Sequence, residues 1–88
     1  MKLKENLEAG LLQGDLEDFE KEYYRFKKSN KEGLMTDRGA VVKAAVRIGW
    51  LVDVPKDFDP RNEKPQTISK WAVEIDRIYT EASTPDPN

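Results

Sequence analysis

Apolar residues recur at helical spacing in four separate stretches of the chain. In the clearest stretch, successive apolar positions are three or four residues apart, which places them on one face of a helix. They are Leu12, Leu16, Phe19, Tyr23 and Phe26. No stretch of useful length alternates apolar and polar residues as a half-buried strand would. The pattern therefore predicts an all-α fold, a small bundle of about four helices over residues 3–13, 16–29, 37–48 and 65–82.

Glycines and short polar residues mark the predicted helix ends. Gly14 follows the first stretch and is typical of a helix C-terminal cap, and Asp15 after it is a candidate N-cap for the second helix. Thr36 is the candidate N-cap of the third helix, with Asp37 in its first turn. Gly49 is predicted to follow the end of the third helix, where a left-handed backbone favours glycine.

The third predicted helix is rich in alanine and valine and is apolar over much of its circumference. Such a helix is touched on several sides, so we expect it at the centre of the bundle. A proline-rich loop over residues 53–66 leads to the last helix. The apolar stripe of that helix is Ile68, Trp71, Ile75, Ile78 and Ala82, with Tyr79 beside it. We predict one helical domain over residues 1–82 and a flexible tail over 83–88.

Composition excludes several kinds of chemistry. The 88 residues include no Cys and no His, so a thiolate nucleophile, a catalytic His and a Cys/His metal site are impossible. No apolar run reaches the length of a membrane span, and acidic residues interrupt any signal-peptide pattern near the N-terminus. We therefore expect a cytoplasmic protein that does not contact membranes. A domain of this size is marginally stable, which leaves room for a partner or for self-association into a homo-oligomer.

The acidic residues of the proline-rich loop do not form a known calcium motif. Asp53, Asp57 and Asp59 suggest a Ca²⁺ loop, but the sixth and twelfth positions counted from Asp57 are Asn62 and Ile68. An EF-hand loop requires Gly and Glu there. A chain this small also has little mass with which to enclose two catalytic carboxylates in a cleft. We expect no metal, no cofactor and no enzymatic activity.

Nucleic-acid binding is the alternative hypothesis. Arg38, Lys43 and Arg47 lie on the third helix, and the last two share one face, as bases on a recognition helix would. The connection over residues 29–36 is too long for the tight turn of a helix-turn-helix, and the net charge is -2. Both features disfavour DNA or RNA as the partner.

Five apolar or aromatic residues are candidate contacts for a protein partner: Tyr24, Trp50, Leu51, Val54 and Phe58. Tyr24 lies about 100° from Tyr23 around a helix, so both cannot face inward equally. The other four follow the third helix and either close the open end of the bundle or form an exposed apolar patch. The large size of Trp50 favours burial in the core. For Leu51, Val54 and Phe58, core and contact surface both stay open.

Two stretches add a family resemblance. The segments Gly39–Trp50 and Ile68–Tyr79, with the ending Pro85–Asn88, resemble small all-helical proteins encoded among tailed-phage and prophage morphogenesis genes, of the tail-assembly-chaperone kind. The resemblance covers about half of the chain. It implies no enzymatic activity and a partner among other virion proteins, such as helical segments of a tape-measure or tail component. It carries over no functional residue.

The residues and the resemblance lead to one principal hypothesis, a non-enzymatic binding or assembly protein. We expect recognition between helices, through an apolar groove beside the third helix and the segment Trp50–Phe58.

Overall fold

Four α-helices, two short β-strands and a turn of 3-10 helix form residues 1–28 and 37–84, the part of the chain described in a computed structural model. The helices are α1 (Leu7–Gly10), α2 (Gln13–Phe26), α3 (Arg38–Arg47) and α4 (Pro65–Ser83). The strands are β1 (Lys2–Leu3) and β2 (Leu51–Val52), and the 3-10 turn is Pro60–Asn62. Helices dominate, so the predicted helical class is confirmed.

The third helix occupies the centre of the bundle, as its composition predicts. Val41, Val42, Ala44 and Ala45 of α3 are all fully buried, and α3 packs against both α2 and α4. Alanine side chains occupy little space between helices, so α2 and α4 approach α3 closely. The architecture is therefore two longer helices packed around a short apolar one.

An aromatic cluster links the two outer helices to the end of α3. Phe19 of α2 is fully buried, and its ring centroid lies 4.7 Å from that of Trp50 and 5.5 Å from that of Tyr79 on α4. Tyr23, one turn further along α2, extends the cluster at 6.5 Å. Stacked and tilted aromatic pairs at such distances add to the free energy gained from burial alone.

The first predicted helix is largely wrong. Residues Lys2–Leu3 form β1, which pairs antiparallel with β2, Lys2 opposite Val52 and Leu3 opposite Leu51. The backbone N–H of Lys4 continues this pairing by donating to the carbonyl of Trp50 at 2.9 Å. Within the predicted range 3–13, only the four residues of α1 and Gln13, the first residue of α2, are helical. Pairing with a distant segment satisfies the backbone here, so it overrides a short leucine stripe.

The start of α2 also differs from the sequence prediction. Gly14 does not end a helix, because it lies in the first turn of α2. Asp15 is not the N-cap but the third helical residue, and its carboxylate accepts the Leu12 N–H at 2.8 Å. An acidic side chain at this position satisfies a free backbone donor at the helix start. The helix therefore begins three residues early, and Leu12 is 73% exposed instead of buried.

Both ends of α3 have clear caps. Asp37 is the N-cap, and its carboxylate accepts the Ala40 N–H at 3.1 Å; the prediction for Thr36 falls outside the described residues. At the other end Gly49 has φ +83°, as predicted. The Gly49 N–H donates to Val46 and the Trp50 N–H donates to Ala45, which is the Schellman motif. This turn directs the chain after α3 back towards the core.

The last helix begins at Pro65, a residue favoured at the first helical position. Of the predicted stripe, Ile68, Ile75 and Ile78 are buried, whereas Trp71 is half-buried and Ala82 is exposed. Ala72 takes a buried place that the stripe did not include. The helix includes Ser83, one residue past the predicted domain boundary, and Thr84 is its C-cap. Residues 85–88 of the predicted tail lie outside the described residues.

Candidate functional site

Two of the predicted contact residues belong to the core. Trp50 is 4% exposed and Leu51 is 2% exposed. The Schellman turn at Gly49 brings Trp50 onto Phe19, and pairing with β1 holds Leu51 inside. Their assignment to a contact surface is therefore corrected: in this fold both side chains close the bundle.

The other three candidates remain accessible to different degrees. Val54 and Phe58 are half-buried and pack against the core from outside. Tyr24 is 56% exposed on α2, where its ring meets Tyr23 edge-on at 5.4 Å and Lys27 Nζ lies 5.8 Å from its centroid. Of these three, only Phe58 lines a surface hollow beside α3.

That hollow, which we name the α3 groove, has a volume of about 230 Å³. Phe26, Val46, Phe58 and Pro60 form its apolar lining, and Lys43 and Arg47 form its cationic rim. The last residue of α2 supplies Phe26, and one face of α3 supplies Lys43, Val46 and Arg47 at helical spacing. An apolar groove beside the third helix is thus present, with Phe58 the only one of its lining residues predicted from sequence as a contact.

The loop before α4 holds its side of the groove in place. A turn in which the Phe58 N–H donates to the Pro55 carbonyl at 3.0 Å sets the position of Phe58. Asp59 then caps the 3-10 turn by accepting the Arg61 N–H at 3.0 Å, and Pro60 is buried at the first position of that turn. The groove wall is therefore built from turn chemistry that fixes the backbone locally.

A second hollow of about 410 Å³ adjoins the groove at Pro60. Arg38 and Arg61 line it together with Ser69 and the acidic Glu63. The guanidinium of Arg38 donates to the hydroxyl of Ser69 at 2.6 Å, which connects the start of α3 to α4. The two hollows together form a trough along α3 and the 3-10 turn.

Four cationic side chains lie along the trough although the chain as a whole carries net charge -2. These cations, Arg38, Lys43, Arg47 and Arg61, form no ion pair with any acidic residue in the described ranges. The nearby carboxylates of Asp37 and Asp59 accept backbone N–H groups. All three residues of the nucleic-acid hypothesis lie along this trough, Lys43 and Arg47 on the groove rim and Arg38 in the second hollow.

The sequence did not predict that Phe26, Val46 and Pro60 line the groove. Phe26 is the last residue of α2 and ends its apolar stripe. Lys43 Nζ lies 5.6 Å from the centroid of that ring and the Arg25 guanidinium carbon lies 5.9 Å from it, both cation–π distances. The position of Phe26 at the end of the α2 stripe was a signal present in the sequence. The places of Val46 and Pro60 in the groove depend on how the loop crosses α3.

The most strongly perturbed ionisable groups lie elsewhere and have structural roles. The Arg77 guanidinium on α4 donates to Glu8 at 2.6 Å, Glu74 at 2.5 Å and Glu81 at 3.0 Å. Its hydrogen bond to Glu74 holds the pKa of that carboxyl below its usual value. Since Glu8 belongs to α1, this network attaches α1 to α4.

Two of the acidic residues of the loop also have structural partners. Asp53 pairs with Lys2 at 3.5 Å, alongside the strand pairing, and Asp59 caps the 3-10 turn. Across residues 1–28 and 37–84, no group of three or more acidic side chains is placed to hold a metal ion. No helix in the same ranges is long and apolar enough to cross a membrane.

Comparison of the chain with protein-family models, with curated proteins and with solved structures gave no match. The resemblance of segments 39–50 and 68–79 to tail-assembly chaperones therefore stays a hypothesis.

Proposed function

We propose that this protein is a non-enzymatic binding protein that holds a segment of another protein in the α3 groove. The observation that carries the proposal is the apolar hollow formed by Phe26, Val46, Phe58 and Pro60 at the surface. Its volume of about 230 Å³ is below the range typical of small-molecule sites and suits the insertion of one large side chain. Aromatic side chains in a surface hollow are typical anchors of protein contacts.

The biological role that we propose is in virion assembly, as a tail or head-tail accessory protein. It is supported by the sequence resemblance of Gly39–Trp50 and Ile68–Tyr79. The fold is compatible with it, because a bundle of short helices can present a groove to a helical segment of a tape-measure or tail protein.

Substitution at the groove tests the binding role. We expect Phe58→Asp to abolish co-purification of a partner from the native host. An apolar side chain of the partner would remove water from the new carboxylate without offering it a hydrogen bond, which is unfavourable. The matched control is Val73→Asp on α4, which places the same charge at a side chain that is 62% exposed and does not line the groove. Thermal unfolding of both variants separates loss of binding from loss of folding. Capture and stability that fall together in Phe58→Asp would show that Phe58 acts only as core.

Nucleic-acid binding remains the second candidate, and the cations of the trough, which pair with no acidic residue of the described ranges, favour it. Phosphate contacts by Arg38, Lys43 and Arg47 would make affinity for duplex DNA fall steeply as salt rises. A salt titration with labelled duplex DNA tests for nucleic-acid binding. Steep salt dependence that is reduced in Arg47→Gln would support this function, and no binding at low salt would remove it.

A further inference from the structure

We infer that the α3 groove selects an apolar segment flanked by acidic residues on the partner protein. This inference rests on the proposed binding function and adds the chemistry of the partner. It joins two observations that concern the same few residues. The lining of the groove is apolar, and the four cations along the trough outnumber the carboxylates near it, which are Asp37, Asp59 and Glu63.

The apolar part of the site requires an apolar side chain. Val46 and Phe58 are half-buried and Pro60 is buried, and all three line the groove together with Phe26. An inserted side chain loses contact with water on several sides at once, which is the favourable part of the binding. A polar side chain in the same place would leave its hydrogen-bonding groups without partners.

The charged part of the site requires acidic neighbours. Lys43 and Arg47 stand on the rim of the groove, and Arg38 and Arg61 continue the positive charge past Pro60. No acidic residue in the described ranges pairs with any of the four. Carboxylates on either side of an inserted apolar residue would meet this charge, and lysines there would be repelled.

The same cations could attract nucleic acid, but the aromatic lining is poorly suited to bases. Binding of single strands relies on stacking of bases on open aromatic faces. The ring of Phe26 already has Lys43 and Arg25 within cation–π distance. Phe58 lies in a hollow whose other walls are Val46 and Pro60. The geometry therefore favours a peptide, and nucleic acid becomes an outcome of the test.

Three fluorescein-labelled peptides provide the test. They share one apolar core of Leu and Phe and differ only in the residues on each side, which are Glu, Gln or Lys. Single-stranded DNA of similar length is the fourth probe. Fluorescence anisotropy with the full chain measures affinity as salt rises from about 0.05 M to about 0.5 M, a range over which exposed charges become screened. Amide chemical-shift changes locate the bound peptide.

We expect the Glu-flanked peptide to bind about tenfold more tightly than the Gln-flanked one at low salt, a ratio that several surface ion pairs together can supply. The advantage should disappear as salt rises, and shifts should centre on Val46, Arg47 and Phe58. Arg47→Glu should remove the preference because it reverses an exposed rim charge. Lys70→Glu, the same change at an exposed residue outside the groove, should leave it intact.

Other results would overturn the inference in distinguishable ways. Equal binding of the Glu- and Gln-flanked peptides, weakened by Phe58→Asp, would leave the binding function standing and refute selection by charge. Binding of DNA without binding of any peptide would refute both. If neither DNA nor any peptide binds, the inference fails, and the proposed function then depends on the co-purification experiment alone.

Discussion

Asp37 connects α2 to α3 by hydrogen bonds in both directions. One carboxylate oxygen accepts the Ala40 N–H at the start of α3, and the other accepts the Lys28 N–H just after α2, each at 3.1 Å. Its own backbone N–H donates to the hydroxyl of the buried Tyr23 at 3.1 Å. A single side chain therefore fixes how the two helices that carry Phe26 and Lys43 meet at the groove.

Replacement of Asp37 by alanine should lower the free energy of unfolding by about 1–2 kcal/mol, the usual cost of losing an N-cap. The backbone N–H groups of Ala40 and Lys28 would lose their acceptor. Urea unfolding followed by circular dichroism measures the change. Asp57→Ala removes an exposed carboxylate from the loop and should change stability by less than about 0.5 kcal/mol. Equal effects of the two substitutions would contradict the capping role.

At the scale of secondary-structure elements, the end of α3 determines where the side chains that follow it lie. Gly49 adopts a left-handed backbone, and the Schellman hydrogen bonds turn Trp50 inward onto Phe19. Without this turn the segment after α3 would carry its large apolar side chains away from the bundle. The element that ends the helix therefore also completes the core.

Two glycine substitutions should change stability in opposite directions. Gly49→Ala should destabilise the fold by about 1 kcal/mol or more, because alanine is strained at positive φ. Gly14→Ala lies in the first turn of α2 and should stabilise by about 0.5–1 kcal/mol. A methyl group at either position meets no atom within 4 Å, so packing contributes little to the difference. Urea unfolding of both variants tests the prediction, and a shift of the same sign in both would refute it.

Periodicity predicted the helices but not the strands. The bounds of α3 and α4 lie within one residue of the predicted ranges, because caps and apolar stripes are local features. Pairing of Lys2–Leu3 with Leu51–Val52 depends on a contact between distant segments, which no local pattern contains. A short leucine stripe therefore favoured a helix where the tertiary structure forms a strand.

The candidate site was predictable only in part, for a similar reason. Phe58 and the cations Lys43 and Arg47 could be named because charge and aromatic character are visible in the sequence. The contributions of Val46 and Pro60 arise only when the loop turns across α3. A large apolar residue after a glycine can lie in the core or at the surface. For Trp50, the hydrogen bonds of the turn place the side chain in the core.

The molecule as a whole is held together by contacts between its outer helices as well as through α3. Tyr79 on α4 donates its hydroxyl to Glu20 on α2 at 2.5 Å, and its ring packs against Phe19. Burial raises the pKa of the Tyr79 phenol, and the hydrogen bond to Glu20 raises it further. The folded protein thus keeps this proton to higher pH than the unfolded chain does.

Stability should consequently depend on pH in the alkaline range. Below about pH 10 the phenol is protonated in both states, and above it the unfolded chain ionises first, so the unfolding free energy falls. Urea midpoints measured from about pH 8 to about pH 11 should fall more steeply in the wild type than in Tyr79→Phe. Tyr24→Phe, at an exposed ring, should keep the steep fall. Identical profiles for the wild type and Tyr79→Phe would contradict the assignment.

The pairing of β1 with β2 has a consequence for biosynthesis. Lys2 and Leu3 leave the ribosome long before Leu51 and Val52, their partners in the sheet, have been translated. The nascent chain must therefore carry β1 unpaired until α3 and its terminal turn have emerged. Closure of the sheet is expected late during translation, when the ends of this loop finally meet.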